Sequence, residues 1–166
     1  VSSTSVRIGG NRLDINIAEY IRKKYSLAIG ERTAEEIKIN IGSALYLEEK
    51  LYLDIRGRDM VTGLPKTITV SSDDVTEAIQ SDLEGIVAAV KSVFHQTPPE
   101  LSADVIDKGI VMSGGSSLLR NIDKLITQAT GVSAYVADDA LFCVVKGTGI
   151  ALDNLESYKR SILATK

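Results

Sequence analysis

Cysteine occurs once in these 166 residues, at position 143, and histidine once, at position 95. A single thiol excludes an internal disulfide and a multi-cysteine zinc site, and such scarcity suits a reducing compartment. Tryptophan is absent and phenylalanine occurs only twice. Basic residues are not in excess: 19 Lys and Arg face 22 acids, for a net charge of −3. A protein of that balance has no dominant nucleic-acid-binding face. Long apolar runs are missing too, since stretches such as Gly85–Val90 are far too short to span a bilayer. The chain opens on Val1-Ser-Ser-Thr-Ser-Val-Arg7, neither a methionine start nor a signal peptide, and is expected to be a piece of something larger. What is present is a globular composition, 44% hydrophobic and 25% charged, enough to bury a core.

The apolar periodicity lays out the elements. Val6-Arg-Ile8 reads as the end of a short strand stopped by Gly9-Gly10. Leu13, Ile17, Tyr20, Ile21 and Tyr25 fall at helical spacing, with Asn11 as expected cap and Arg22-Lys23-Lys24 at the negative end. A second helix is expected over Thr33–Ser43, because Thr33 followed by Glu36 makes a capping-box pattern and Gly42 lies near the stop. The period then changes to two at Leu51, Leu53 and Ile55. Gly57 and Thr62-Gly63-Leu64-Pro65 mark a turn, and Lys66–Val70 returns as a strand. Ser72 is expected to cap a long helix carrying Val75, Ile79, Leu83, Ile86, Val87, Val90 and Phe94, ended by Pro98-Pro99. The last third alternates differently: strand Gly109–Met112, loop Ser113–Ser116, helix Leu118–Ala129, strand Ser133–Val136, helix Phe142–Leu155. That is the βαβ rhythm of a parallel sheet, so the fold class is α/β. Two lobes are expected: a βαβ lobe from residues 1–9 and 98–155, and an inserted helix–hairpin–helix lobe over 10–97, with a tail over 156–166.

Few residues could carry chemistry. Ser113-Gly114-Gly115-Ser116 joins a strand to a helix, where glycines allow close approach to the backbone and free amides attract phosphate or polar groups. From the loop alone, a tight turn built of small residues is the simpler explanation, and the motif is neither a Walker P-loop nor GxGxxG. In Gly30–Lys38, Glu35 and Lys38 are helical neighbours able to hydrogen-bond a ribose or base edge. A solvated helix face with a surface ion pair explains the same spacing. His95 suits a helix end, Cys143 suits apolar packing, and the Asp138-Asp139 pair suits a hydrated turn better than a metal site. No catalytic residue and no metal ligand is assigned.

Several segments in this order and spacing resemble the MreB family of bacterial actin homologues. They are Val6–Gly10, Gly30–Ala44, Thr97–Leu101, Gly109–Gly115 with Leu118–Arg120, and Val136–Asp139 with Lys146–Gly149. The resemblance covers roughly residues 5–155, and Gly30–Ala44 is its most specific part. It implies an actin-like ATPase (ribonuclease H-like) domain with an inserted helix–β-hairpin–helix subdomain: the second large domain only, the βαβ lobe being subdomain IIA and the insertion IIB. By resemblance, Glu35 and Lys38 face the adenosine of ATP, and Glu36 and Ile37 complete that helical turn. Ser113, Gly114, Gly115 and Ser116 lie under the sugar and the α/β-phosphate side. Ser116 stands where the family usually has a third glycine, and Ala140 and Phe142 stand where a proline and a small polar residue are common. Both phosphate loops lie outside the chain, so Mg2+ is expected to be held by the missing half and the chain to be inactive alone. For the intact protein the resemblance implies ATP-dependent head-to-tail polymerisation with itself. It also implies membrane-associated filaments at the cytoplasmic face of the membrane, the membrane being reached through the missing domain, and contacts with a membrane-anchored adaptor and wall-synthesis proteins. A chaperone-type or sugar-kinase-type ATPase of the actin superfamily, or a non-catalytic adaptor-binding module, are the alternatives.

Overall fold

A computed structural model describes residues 2–158. Helix α1 runs over Gly10–Tyr25, the two-residue strand β1 over Leu27–Ala28 and helix α2 over Glu31–Ile41. Strands β2 (Tyr52–Asp59) and β3 (Pro65–Ser71) form a hairpin, followed by the 25-residue helix α3 (Ser72–Gln96) and by α4 (Pro99–Lys108). Strand β4 (Ile110–Met112), helix α5 (Ile122–Thr130), strand β5 (Ala134–Val136) and helix α6 (Cys143–Asp153) complete the order. Short 3-10 turns cover Gly115–Leu118 and Ala140–Phe142.

β1, β2 and β3 make one antiparallel sheet, with Leu27 opposite Asp59 and Ile55 opposite Ile68. β4 and β5 pair in parallel, Val111 opposite Tyr135, with α5 as the crossover expected of a βαβ unit. The core lies between the three-stranded sheet and α1, α2 and α3. Leu13, Ile17 and Ile21 of α1 meet Ala34, Ile37 and Ile41 of α2 and Val75, Ile79 and Leu83 of α3, and the same cluster reaches Leu119 and Ile122. Spacings of three and four residues put each trio on one helix face, so burying that face is what fixes the helix.

A polar clasp joins the two sheets' surroundings. Ser43 pairs with Arg120 as an isolated parallel bridge, and the Ala44 amide donates to the Arg120 carbonyl at 2.8 Å. Thr76 Oγ1 donates to the Ser43 carbonyl at 3.0 Å, and Asn121 Nδ2 to Ser43 Oγ at 3.0 Å.

Local signals misplaced several boundaries. Val6–Ile8 forms no strand, because no neighbouring strand pairs with it; instead Ile8 packs against α3 at Gly85, where a Cβ would come within 2.7 Å of Ile8 Cδ1. α1 starts at Gly10 with Gly9 as its cap, so Asn11 lies inside the helix; Gly9's carbonyl accepts from Arg12 and Leu13. α2 starts two residues before Thr33, capped by Gly30, and the Thr33–Glu36 box does not form. Packing decides this: Ala34 is fully buried and must already sit within the first turn. The capping box of α3 is Ser71 with Asp74, one residue earlier than Ser72. Gly57 is no turn; it lies inside β2 where β1 crosses closest. The expected Leu118–Ala129 helix is interrupted, because Leu119 is extended, Arg120 pairs with Ser43, and Asn121 takes a left-handed conformation at φ 61°. The apolar run after Cys143 is exposed at Val144 and Val145; Cys143 itself is half-buried beside the Asp138 and Asp139 carbonyls. Helix α4 was not foreseen, although Pro99 at its first turn is a recognised opening signal. The expected tail over 156–166 falls largely outside the described residues.

Candidate functional site

α1 and α2 lie against each other, and the turn Gly115–Leu118 faces their open end. Between them is a cleft of about 560 Å³ lined by Gly10, Asn11, Glu35, Lys38, Gly115 and Ser116, with Leu118 and Leu141 among its apolar walls. Volumes of about 300–1,000 Å³ with few polar groups on apolar walls are usual for small-molecule sites. The two segments singled out in the sequence, 80 residues apart, are thus brought to one place.

Convergence on Gly10 defines the geometry. A Cβ at Gly10 would lie 3.3 Å from Lys38 Nζ and 3.9 Å from Ser116 Oγ. The absence of a side chain there lets the ammonium and the hydroxyl share the mouth of the cleft. Lys38 Nζ donates to Asp14 Oδ2 at 2.8 Å and approaches the Gly10 carbonyl at 3.4 Å. This pair is largely shielded from solvent, with side-chain exposures of 16% for Lys38 and 10% for Asp14. The surface ion pair between Glu35 and Lys38 that spacing allows is not made; Lys38 turns inward and Glu35 stays exposed on the cleft wall.

The small-residue loop owes its shape to two contacts. Gly114 adopts φ +87°, which favours glycine, and its amide donates to the Ala140 carbonyl at 2.8 Å. Ser117 Oγ donates back to the Gly114 carbonyl at 2.6 Å. Gly115 lies under Leu141, whose Cδ2 a Cβ would touch at 3.4 Å. Ser113 is exposed beside the loop and lines a neighbouring apolar recess with Ser116 and Ser117 rather than the cleft itself.

Of the remaining singled-out residues, Ile37 is fully buried in the core and Glu36 turns outward to Arg32. Neither side chain lines the cleft. Sequence reasoning missed Gly10 and Asp14. Asp14 had a readable signal: it sits on the same helical face as Leu13, Ile17 and Ile21, and an acid on a buried stripe requires a partner. Among the described residues, no group of three or more His, Cys, Asp or Glu side chains could hold a metal ion. None of the described helices is long and apolar enough to cross a membrane.

Residues 1–160 match the family model described as MreB/Mbl protein. The cell shape-determining protein Mbl of Bacillus subtilis is 44% identical over 99% of this chain and 49% of its own length. The cell shape-determining protein MreB of Escherichia coli is 45% identical over 95% of this chain and 46% of its own. The chain therefore spans about half the length of the curated relatives it matches. The crystal structure of MreB5 of Spiroplasma citri bound to ADP superposes with a TM-score of 0.90 at 36% identity, covering 99% of this chain and 49% of that one. The MamK double helical filament, at 19% identity and a TM-score of 0.71, shares the fold. Actin-like in fold and matched by the family model over nearly its whole length, the chain belongs to the MreB/Mbl family of cell shape-determining actin homologues.

Proposed function

We propose that this chain supplies the adenosine side of an ATP cleft in a cell shape-determining actin homologue. The observation that carries this is the meeting of Glu35, Lys38, Gly115 and Ser116 around Gly10 in one cleft. The residues fit the group. The Lys38 ammonium and Ser116 hydroxyl can donate to ribose or ring acceptors, Glu35 can accept from hydroxyls, and Leu118 and Leu141 offer an apolar wall to a flat base. Structures of the Spiroplasma citri relative bound to ADP and to AMPPNP support a nucleotide as the ligand. Bound ATP would supply the phosphoanhydride that the intact protein cleaves. This chain's own part is to seat the nucleoside and exclude water from one side of it. Mg2+ and the terminal phosphates would be held by residues outside these 166, in the part of the relatives' length that this chain does not span. The two sheets correspond in this proposal to lobes over 10–97 and over 1–9 with 98–155.

Head-to-tail self-assembly would follow in the intact protein, giving membrane-associated filaments that organise wall synthesis at the cytoplasmic face through a membrane-anchored adaptor. Support comes from the filament-forming neighbour of the same fold and from the exposed apolar tip of the β2–β3 hairpin, where Met60, Val61 and Leu64 are at least half exposed. The test is a titration of the isotope-labelled chain with ADP, followed by NMR. Weak binding is expected, with shifts confined to the cleft residues of α1, α2 and the Gly115–Leu118 turn and to Leu141, and with no turnover when ATP replaces ADP. Shifts that leave those residues unmoved, or tight Mg2+-dependent binding with turnover by the 166 residues, would overturn it.

A further inference from the structure

Asp14 stands behind the cleft wall, on α1, where it meets the Lys38 side chain that lines the cleft. Its carboxylate is buried on α1, and Lys38 Nζ stands 2.8 Å from both of its oxygens. Oδ2 takes the hydrogen bond, and Oδ1, buried at the same distance, has no other partner than the ammonium's charge. A shielded acid–base pair of this kind is often no more stabilising than two apolar side chains of the same volume. What the pair does achieve is geometric. An ammonium has three donors. One is fixed on Asp14 Oδ2 and a second is directed at the Gly10 carbonyl, leaving the third for a ligand at the mouth of the cleft, beside Ser116 Oγ.

Without that anchor only the long 3.4 Å contact with the Gly10 carbonyl would hold Lys38 inward. Its flexible stem carries large rotamer entropy, and exposed Glu35 stands one turn earlier on the same helix as a competing partner. We propose that Asp14 is a positioning residue of the nucleotide cleft, setting the Lys38 ammonium on the Gly10 carbonyl so that its remaining donor meets the nucleoside next to Ser116. The proposal rests on the cleft being the adenosine side. It assigns contact with the ligand to Lys38 and Ser116, and to Asp14 only the placing of Lys38.

Two variants and one ligand-free signal test it. A lysine ammonium gives a resolved nitrogen–proton signal only where it is held and exchanges slowly, so Lys38 can be followed in the chain before any nucleotide is added. In the wild-type chain that signal is expected, and ADP is expected to shift it. Asp14→Asn is expected to abolish the signal and raise the half-saturating ADP concentration at least about tenfold, the worth of one charge-assisted hydrogen bond. Asp14→Glu, which restores the charge, is expected to recover part of both. Gly10→Ala covers the case in which Asp14→Asn fails to fold. It adds a methyl 3.3 Å from Nζ, on a helix where alanine is well tolerated, so thermal stability should hold while ADP binding weakens. Unchanged ADP affinity in a folded Asp14→Asn chain, or in Gly10→Ala, would overturn the positioning role. If ADP instead leaves every wild-type cleft signal unmoved, the adenosine-side assignment fails, and the ligand-free Lys38 signal still decides whether Asp14 holds the ammonium.

Discussion

Asp74 is buried at the N-terminus of α3, and its removal should cost the fold several hydrogen bonds at once. Oδ2 accepts from the Ser71 amide at 2.9 Å, from Ser71 Oγ at 2.7 Å and from the Tyr25 hydroxyl at 3.0 Å, while Oδ1 takes Lys24 Nζ at 2.6 Å. The residue thus ties the start of α3 to the end of α1. Loss of the Ser71 amide's bond, the Asp74 half of the capping box, costs about 1 kcal/mol. Loss of a hydrogen bond to a charged group costs about 1.5 kcal/mol. The Lys24 pair adds less than about 1 kcal/mol, because Lys24 is nearly half exposed and its charge is screened. Asp74→Ala should therefore destabilise the chain by about 3 kcal/mol, and Asp74→Asn, which keeps an acceptor, by roughly half as much.

The loss should depend on pH. Burial alone would raise the Asp74 carboxyl, but the bonds from Lys24, from the Ser71 amide and hydroxyl and from Tyr25 outweigh it and hold the group below its ordinary value. A folded value below the unfolded one means stabilisation that is full above about pH 3.9 and drains away as pH falls through the folded value. Urea unfolding followed by circular dichroism at pH 7 and near pH 3 reads both effects. The gap between wild type and Asp74→Asn should be widest at neutral pH and should narrow in acid. A gap below about 1 kcal/mol for Asp74→Ala at pH 7 would refute the sum of these bonds, and a gap that widens in acid would refute the sign.

Other outcomes follow from single positions. Ile37→Ala empties a fully buried site between α2 and the sheet and should cost about 3 kcal/mol in urea unfolding, without moving the residues of the cleft wall. Gly57→Ala would press a methyl to 2.5 Å from the Ala28 carbonyl and 2.8 Å from Leu27 Cγ, so β1 must shift; a loss of about 2 kcal/mol or more, with faster amide exchange at Leu27 and Ala28, is expected. Asp59 takes the Val61 and Thr62 amides at the hairpin turn and the Lys66 ammonium, contacts that hold its carboxyl well below the usual range. Asp59→Ala should lower the melting temperature more than Asp59→Asn, which can still accept from both amides. The wild-type advantage over Asn should fade as pH drops below the ordinary carboxylate value.

The sequence by itself determined whatever depends on near neighbours. Helical periodicity found α1, α2, α3 and α5, alternation found the β2–β3 hairpin, and Gly63, Gly114 and Gly131, all with positive φ, were read as turns, loop or stop. The strand–loop–helix–strand rhythm found the parallel β4–β5 pair. Each signal is carried by residues a few positions apart, where the chain's own geometry decides which face is apolar.

Only the tertiary structure decided the rest. It chose Gly9 and Gly30 as caps over better-looking polar residues, because the buried faces of α1 and α2 had to meet the sheet. It made Gly57 a point of close strand approach rather than a turn, because β1 crosses there. It broke the helix after Leu118, because Arg120 pairs with Ser43 far away in sequence. It turned Lys38 away from its helical neighbour Glu35 and onto Asp14, and it set Gly10 where Lys38 and Ser116 both need room. The cleft is made of side chains from α1, α2 and the Gly115–Leu118 turn. No local pattern encodes which ammonium a buried carboxylate will claim, because that is settled by desolvation and distance once the helices have packed.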